Sequence, residues 1–402
     1  MTWMSARTDG TFLTRVVLRD YKSIAECDVR LGPLTFLVGP NGSGKSNFID
    51  ALRFVRDFMV GGLPSAFRAR GGANEVVRRV RRPVESFAIE LEFTAADGVE
   101  CRYELEVACN EGRTERVRRE RAWIQRKGGS EPWSRQFEDQ IGFEAAKNPG
   151  GLSHVLRFGE EAGILHGALS AMSFYDPNPT VMREPIPRGA SGEALESDGR
   201  NLGCVLEQMQ RTDPARFARI NEYLRVLLPE LLMAHGVPVG TEEAQWFTVQ
   251  FLQRRPGSDL PTVFSSRNMS DGTLRILALL VGVIQESQGP RSRLVGLEEP
   301  ESAVHPGAVA VLLDAVRSSS RTAQILVATH SAEMLDDKEI SADEILAVDF
   351  ENGRTTIRPI GEAGRDVLNR RLYSVGELLR MGALRRGDSK PTWSDRVADQ
   401  EG

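Results

Sequence analysis

An eight-residue run, Gly39-Pro40-Asn41-Gly42-Ser43-Gly44-Lys45-Ser46, constrains this chain more than any other feature. It follows the apolar stretch Leu34-Thr35-Phe36-Leu37-Val38 and precedes a helical pattern from Asn47 to about Met59. A buried strand feeding a glycine-rich turn and then a helix aims backbone N–H groups and the positive helix end at a polyphosphate. Gly39, Gly42 and Gly44 permit close approach of the backbone, Lys45 reaches the β- and γ-phosphates, and the Ser46 hydroxyl suits Mg2+. Pro40, Asn41, Ser43 and Asn47 complete the expected nucleotide cradle. Four near-fixed positions in about 400 residues match by chance on the order of one per cent of the time. Strand, turn and helix in this order make chance rarer still, so ATP with Mg2+ is the expected ligand.

The 402 residues, 41% hydrophobic and 27% charged, suffice for two or three domains or for one large α/β domain carrying an insertion. A net charge of −5 argues against coating nucleic acid by bulk electrostatics but leaves local basic patches open. Cys27, Cys101, Cys109 and Cys204 lack C-x-x-C spacing, and the five histidines form no ligand cluster with them. Neither a disulfide framework nor a zinc site is expected. No stretch reads as a signal-peptide core or a membrane span, so the expectation is a soluble, cytoplasmic protein with no membrane contact.

Residues 1–127 read as an N-terminal lobe, with alternating strands before the glycine-rich loop and an antiparallel set at Ser86–Thr94, Glu100–Ala108 and Thr114–Gln125. Residues 128–257 read as an inserted, mainly helical accessory region, its best helices at Asn201–Met209 and Pro214–Val226. Residues 258–360 alternate helix and strand, the pattern of a parallel sheet. Residues 361–402 read as a helical tail whose end is polar.

Three elements in the third part narrow the class. Met269-Ser270-Asp271-Gly272-Thr273 opens an apolar helix; alone it is an ordinary cap, yet hydroxyl, free N–H groups and helix dipole also suit a phosphate. Leu294 to Leu297 form a short strand ending in Glu298, Glu299, Pro300 and Glu301. Carboxylates at that end fall in the crevice where open α/β sheets bind ligands, one fit to hold Mg2+ and the next to deprotonate water. The strand Gln324–Thr329 ends in His330, which alone would more often be a structural hydrogen-bonder.

In this order the motifs resemble the ATPase heads of the ABC class, within the group that includes RecF, the SMC proteins and the OLD-family ATPases. The resemblance implies a P-loop fold with a mixed sheet and an antiparallel β lobe. It assigns Gly39–Ser46 as Walker A, Met269–Thr273 as the signature and Leu294–Glu299 as Walker B. Glu301–Pro306 then corresponds to the D-loop and His330 to the switch histidine. It further implies Glu298 and Ser46 at the metal, and Glu299, His330 and Lys45 as the catalytic set. Ser270 and Gly272 would meet a nucleotide held by a second copy. Lys22, in Leu18-Arg19-Asp20-Tyr21-Lys22-Ser23-Ile24, is a further nucleotide-contact candidate, or a solvated lysine at a strand end. Two departures stand out: Glu298 replaces the usual aspartate, and Asp271 and Thr273 replace the glycine and glutamine of transporters.

The implied mechanism is a head-to-head homodimer clamped by ATP and released by hydrolysis, serving DNA repair, recombination or anti-phage defence. A nucleotide-gated scaffold without turnover, or a transporter subunit, are the alternatives. Basic runs at Arg78–Arg82 and Arg113–Arg121 are candidate DNA contacts, although charge runs are more often solvated faces. The residues after His330 show no acidic cluster like that of a metal-dependent nuclease, so cutting is expected from a separate nuclease or other effector.

Overall fold

The computed structural model describes residues 12–79, 84–94, 98–109, 115–125, 133–138, 160–187, 194–241, 244–255, 257–286 and 294–385. The strands are β1 (Phe12–Tyr21), β2 (Ile24–Arg30), β3 (Leu34–Val38), β4 (Ser86–Thr94), β5 (Glu100–Ala108), β6 (Arg116–Gln125), β7 (Trp133–Glu138) and β8 (Ser173–Tyr175). They continue with β9 (Ile186–Pro187), β10 (Leu231–Thr241), β11 (Ala244–Gln253), β12 (Thr262–Ser265), β13 (Leu294–Glu298), β14 (Gln324–Thr329), β15 (Ile345–Glu351) and β16 (Arg354–Pro359). The helices are α1 (Lys45–Arg68), α2 (Glu160–Ser170), α3 (Pro179–Met182), α4 (Leu202–Thr212), α5 (Pro214–Leu227), α6 (Asp271–Glu286), α7 (Pro306–Ser319), α8 (Glu362–Asn369) and α9 (Val375–Arg380).

Twelve strands make one mixed sheet in the order β7-β6-β5-β4-β1-β2-β16-β15-β3-β14-β13-β8. From β7 to β2 every pairing is antiparallel. From β15 to β8 every pairing is parallel. The two halves join where Thr355 of β16 pairs with Ile24 of β2. Burial along β4 alternates along its whole length, as a strand with one covered face requires. By contrast β3 and β14 are buried at every position, because helices cover both faces there. Leu34, Phe36, Ile325 and Val327 pack in the core built by α6 and α7, while Leu37 and Leu326 belong to the core of α1 and the antiparallel half.

The helix after the glycine-rich loop runs past its expected end at Met59 to Arg68. Gly62, at φ +74°, breaks its regularity, and the helix resumes with Pro64 inside it. Glycine takes the left-handed turn without strain, and a proline just after the break sits where its missing N–H removes no helical bond.

The helices expected at Asn201–Met209 and Pro214–Val226 are α4 and α5, and they share the core of β3 and α6. The same stretch also carries strands. β7 continues the antiparallel set beyond residue 127, β8 enters the parallel half beside β13, and β10, β11, β12 and β9 form a second sheet. A Cβ on Gly236 of β10 would lie 1.8 Å from the Gly203 carbonyl oxygen, so glycine there lets α4 sit directly on the strand. Asn221 of α5, buried, accepts from Ala234 N at 2.6 Å and donates to Ala234 O at 3.3 Å, pinning helix to strand.

Candidate nucleotide site

The carboxyl ends of β3, β14 and β13 are neighbours in the parallel half, and each delivers one expected site element. Val38 pairs with Thr329 and Ala328 with Glu298, so the loop at Gly39, His330 and Glu299 leave the sheet at the same level. That edge is where ligands of parallel sheets lie.

The loop is shaped by two glycines with no alternative. A Cβ on Gly39 would fall 2.0 Å from the Val348 carbonyl oxygen of β15, and one on Gly44, at φ +105°, 2.2 Å from Thr355 Oγ1. Thr355 also donates to Ser43 O at 2.8 Å and meets Ser23 Oγ at 2.6 Å, which in turn accepts from Asn47 Nδ2 at 2.6 Å. The β2–β16 junction thereby braces the loop from behind. Lys45 is buried, with its ammonium donating to Gly39 O at 2.8 Å and Pro40 O at 3.0 Å. Burial pushes its pKa down, opposed by the negative charges of Glu299 and Glu301. Ser46, Asn41 and Gly42 are exposed. The buried Ser43 hydroxyl has no hydrogen-bond partner, an orphan consistent with a loop built around an oxygen-rich ligand.

Glu299 leaves β13 in a left-handed conformation, φ +43°, while its N–H still donates to Ala328 O at 2.9 Å. His330 Nδ1 stands 3.5 Å from a carboxylate oxygen of Glu299 and 3.5 Å from one of Glu301. Glu301 was expected only as the first residue of the D-loop segment, yet it organises the histidine turn. One of its oxygens accepts from Thr329 Oγ1 at 2.6 Å and from the N–H groups of His330 and Ser331, each at 3.2 Å. Glu298 turns elsewhere: Arg53 of α1 donates to it at 2.7 Å through Nη2.

Ser270 caps α6, accepting from Thr273 N at 3.2 Å and meeting Thr273 Oγ1 at 2.8 Å. It is exposed, and Asp271 beside it is tied to Arg183 at 2.6 Å. A Cβ on Gly272 would lie 2.6 Å from the Ala303 carbonyl oxygen, so the signature and the D-loop segment touch within one chain. A cavity of about 610 Å³ is lined by Gly39, Pro40, Asn41 and His330 on one side and by Leu379, Arg380, Met381, Gly382 and Leu384 on the other. Ser270 and Gly272 are not among its lining residues. No sequence motif flagged the tail as a cleft wall; Asp336, which follows the histidine turn, holds Arg380 through both carboxylate oxygens, at 2.5 and 3.1 Å.

Lys22 sits in a tight turn at φ +49°, and its ammonium lies 2.6 Å from Asp50 of α1. Tyr21 and Arg70 also bond Asp50, at 2.8 and 3.1 Å. Burial pushes the Asp50 pKa up, but Arg70 and Lys22 outweigh it and hold the carboxyl below its usual range. Lys22→Ala is expected to lower stability by about 1–2 kcal/mol. The pair acts only while Asp50 is ionised, so the gap between parent and variant should close as pH falls through the depressed pKa. Denaturant melts at several pH values measure both.

The chain matches the RecF/RecN/SMC N-terminal domain over residues 12–356. It belongs to that family. The segment after residue 356 lies outside the match. An SMC head bound to the C-terminal winged-helix domain of ScpA superposes with a TM-score of 0.58 at 17% identity, covering 88% of this chain and 99% of that one. The SMC head with an extended coiled coil from Pyrococcus furiosus, bound to the C-terminal domain of ScpA, gives 0.57 at 16% identity, covering 90% and 99%. The ABC-class ATPase head fold implied by the motifs is thus the fold of the family member described here. In sequence, the chain is 39% identical over 100 residues to the chromosome partition protein Smc of Desulfitobacterium hafniense, 23% of this chain and 8% of that protein. It is 36% identical over 78 residues to the DNA replication and repair protein RecF of Citrobacter koseri, 19% of each. The matches therefore span no more than 19% of either relative's length.

Proposed function

We propose that this protein binds Mg-ATP at the Gly39–Ser46 loop and hydrolyses it as a head-to-head homodimer. The observation that carries the proposal is the convergence of three parallel strand ends, which brings Lys45, Glu299 and His330 to one crevice. Asn41, Gly42 and the first-turn N–H groups of α1 cradle the phosphates, with Lys45 as the buried counter-charge. Glu299 is the base that takes the proton of the attacking water, and His330, 3.5 Å away, orients that carboxylate. Glu301 fixes the histidine turn. The donor set fits the metal: the Ser46 hydroxyl and the oxygen of Glu298 not bonded to Arg53 would hold Mg2+, a cation that prefers oxygen ligands. When bound, Mg2+ neutralises charge developing on the phosphates. Among the described residues no group of three or more His, Cys, Asp or Glu could hold a metal.

Ser270 and Gly272 act on the nucleotide of a second copy. Ser270 is exposed at the N-terminus of a sixteen-residue helix and does not line the cavity beside the Gly39 loop, which leaves the helix dipole available in trans. Ser270→Arg is expected to leave single-site ATP binding within about twofold while turnover falls at least about tenfold, because the new bulk and charge block closure of the dimer. Turnover equal to the parent in steady-state phosphate release would remove the trans site.

The clamp is proposed to act in DNA repair, recombination or anti-phage defence, with any cutting left to a separate effector. The family supports the DNA reading. The basic runs give it little, since Arg118 pairs with Glu106 at 3.1 Å, and Arg119 and Arg121 with Glu104 at 3.7 and 3.8 Å. Arg78 pairs with Asp20 and Arg79 with Glu75; residues 80–82 and Arg113 lie outside the described residues. ATP-dependent retention of duplex DNA by Glu299→Gln, at low and physiological salt, tests this part. Retention that ignores ATP would point to adventitious charge. Among the described residues no helix is long and apolar enough to cross a membrane.

A further inference from the structure

Glu298 is the expected metal carboxylate, yet its nearest cation is a side chain of this chain. Arg53 Nη2 lies 2.7 Å from Glu298 Oε1, with both side chains mostly buried. Arg53 follows Ser46 by seven residues, close to two helical turns, so the two share a face of α1. Helical side chains lean toward the N-terminus, which carries the guanidinium back toward Ser46. The guanidinium is also held from below. Its carbon lies 5.4 Å from the Phe174 ring centre, and Arg56 lies at 5.4 Å from the same ring. Phe174 of β8 lies against β13 at Gly296, where a Cβ would fall 2.5 Å from the ring. The Arg53 Nε–H is buried and has no hydrogen-bond partner, so this arginine spends its bonding on Glu298 instead of satisfying all its donors.

We propose that Arg53 is a positioning residue that holds one oxygen of Glu298 and, as a resident positive charge, makes divalent-cation binding conditional on the nucleotide. This rests on the metal role given above to Glu298 and Ser46. Glutamate in place of the family's aspartate supplies the extra methylene with which the carboxylate reaches Arg53. Without a triphosphate, the cation meets a carboxylate already neutralised by the guanidinium. The phosphates add the negative charge that lets both cations share the site. The result is an order of binding in which the metal enters with the nucleotide rather than before it.

The test is Mn2+ binding to nucleotide-free protein, read by the loss of the free-ion electron paramagnetic resonance signal, in the parent, Arg53→Gln and Arg53→Lys. Removing one unit charge about 6 Å from a divalent ion, at an effective dielectric of about 40, predicts about a hundredfold tighter binding in Arg53→Gln. Arg53→Lys keeps the charge and is expected to stay near the parent. Adding Glu298→Gln to Arg53→Gln should abolish the gain. Equal or weaker Mn2+ binding by Arg53→Gln overturns the inference, as does a gain in Arg53→Lys as large as that in Arg53→Gln. If a non-hydrolysable ATP analogue brings no Mn2+ to the parent either, the metal role of Ser46 and Glu298 falls and the inference falls with it. Mn2+ that enters the parent only with the analogue, and Arg53→Gln without it, supports both.

Discussion

Glu299→Gln is expected to lower ATP turnover by about 10²- to 10⁴-fold, the usual range for removing a general base. The amide keeps the shape of the side chain and its place beside His330 and Ser302, 3.5 and 3.3 Å away in the parent. What it lacks is the capacity to accept the proton of the attacking water. ATP binding should persist, so bound nucleotide accumulates and the closed dimer outlives its usual release step. Sedimentation of the variant with and without Mg-ATP then gives a second readout, a shift from monomer to dimer mass on adding ATP. A variant that turns over like the parent would move the base elsewhere. Slow turnover without a mass shift would leave the enzyme standing and remove the ATP-gated homodimer. A parent that itself binds ATP without turnover would favour the nucleotide-gated scaffold.

Lys45→Ala should act earlier in the cycle, on binding. Its ammonium is a buried cation at the phosphate loop, and losing a desolvated charge partner typically costs about 2–5 kcal/mol, a factor of about 30 to several thousand in affinity. The carbonyls of Gly39 and Pro40 lose their donor as well, so the loop loosens even before nucleotide arrives. Titration with a fluorescent ATP analogue measures the loss. An affinity within threefold of the parent would mean that the first-turn N–H groups of α1 hold the phosphates without the lysine.

Much of this was legible in the residues because local pattern and tertiary demand agreed. Ser86–Thr94 and Glu100–Ala108 could be bounded from sequence, since a strand with one covered face must alternate. The continuous apolar runs before Gly39 and His330 marked strands covered on both faces. Other features have no local signature. Ser173–Tyr175 is a three-residue strand whose identity comes from its neighbour β13. The β10–β11 ribbon interrupts its alternation with Gly236 and Pro238, so a period-two test weakens across it. Among the site residues, the loop, Glu299 and His330 were named by motif and are brought together. Lys22, a candidate nucleotide contact or else a solvated lysine at a strand end, pairs with Asp50. The contacts of Arg53 with Glu298, Glu301 with Thr329 and Asp336 with Arg380 join residues whose separation in sequence no spacing rule encodes.

The wall formed by Leu379–Leu384 bears on how such proteins are cut and labelled. A polypeptide trimmed to the family match at residue 356 would keep every motif residue but lose that wall, together with the anchor from Asp336 to Arg380. Nucleotide exchange rates measured on the trimmed chain would then describe a cleft open on one flank. An environment-sensitive dye at Met381, 59% exposed in the intact chain, would report on the same flank without touching a phosphate-binding residue.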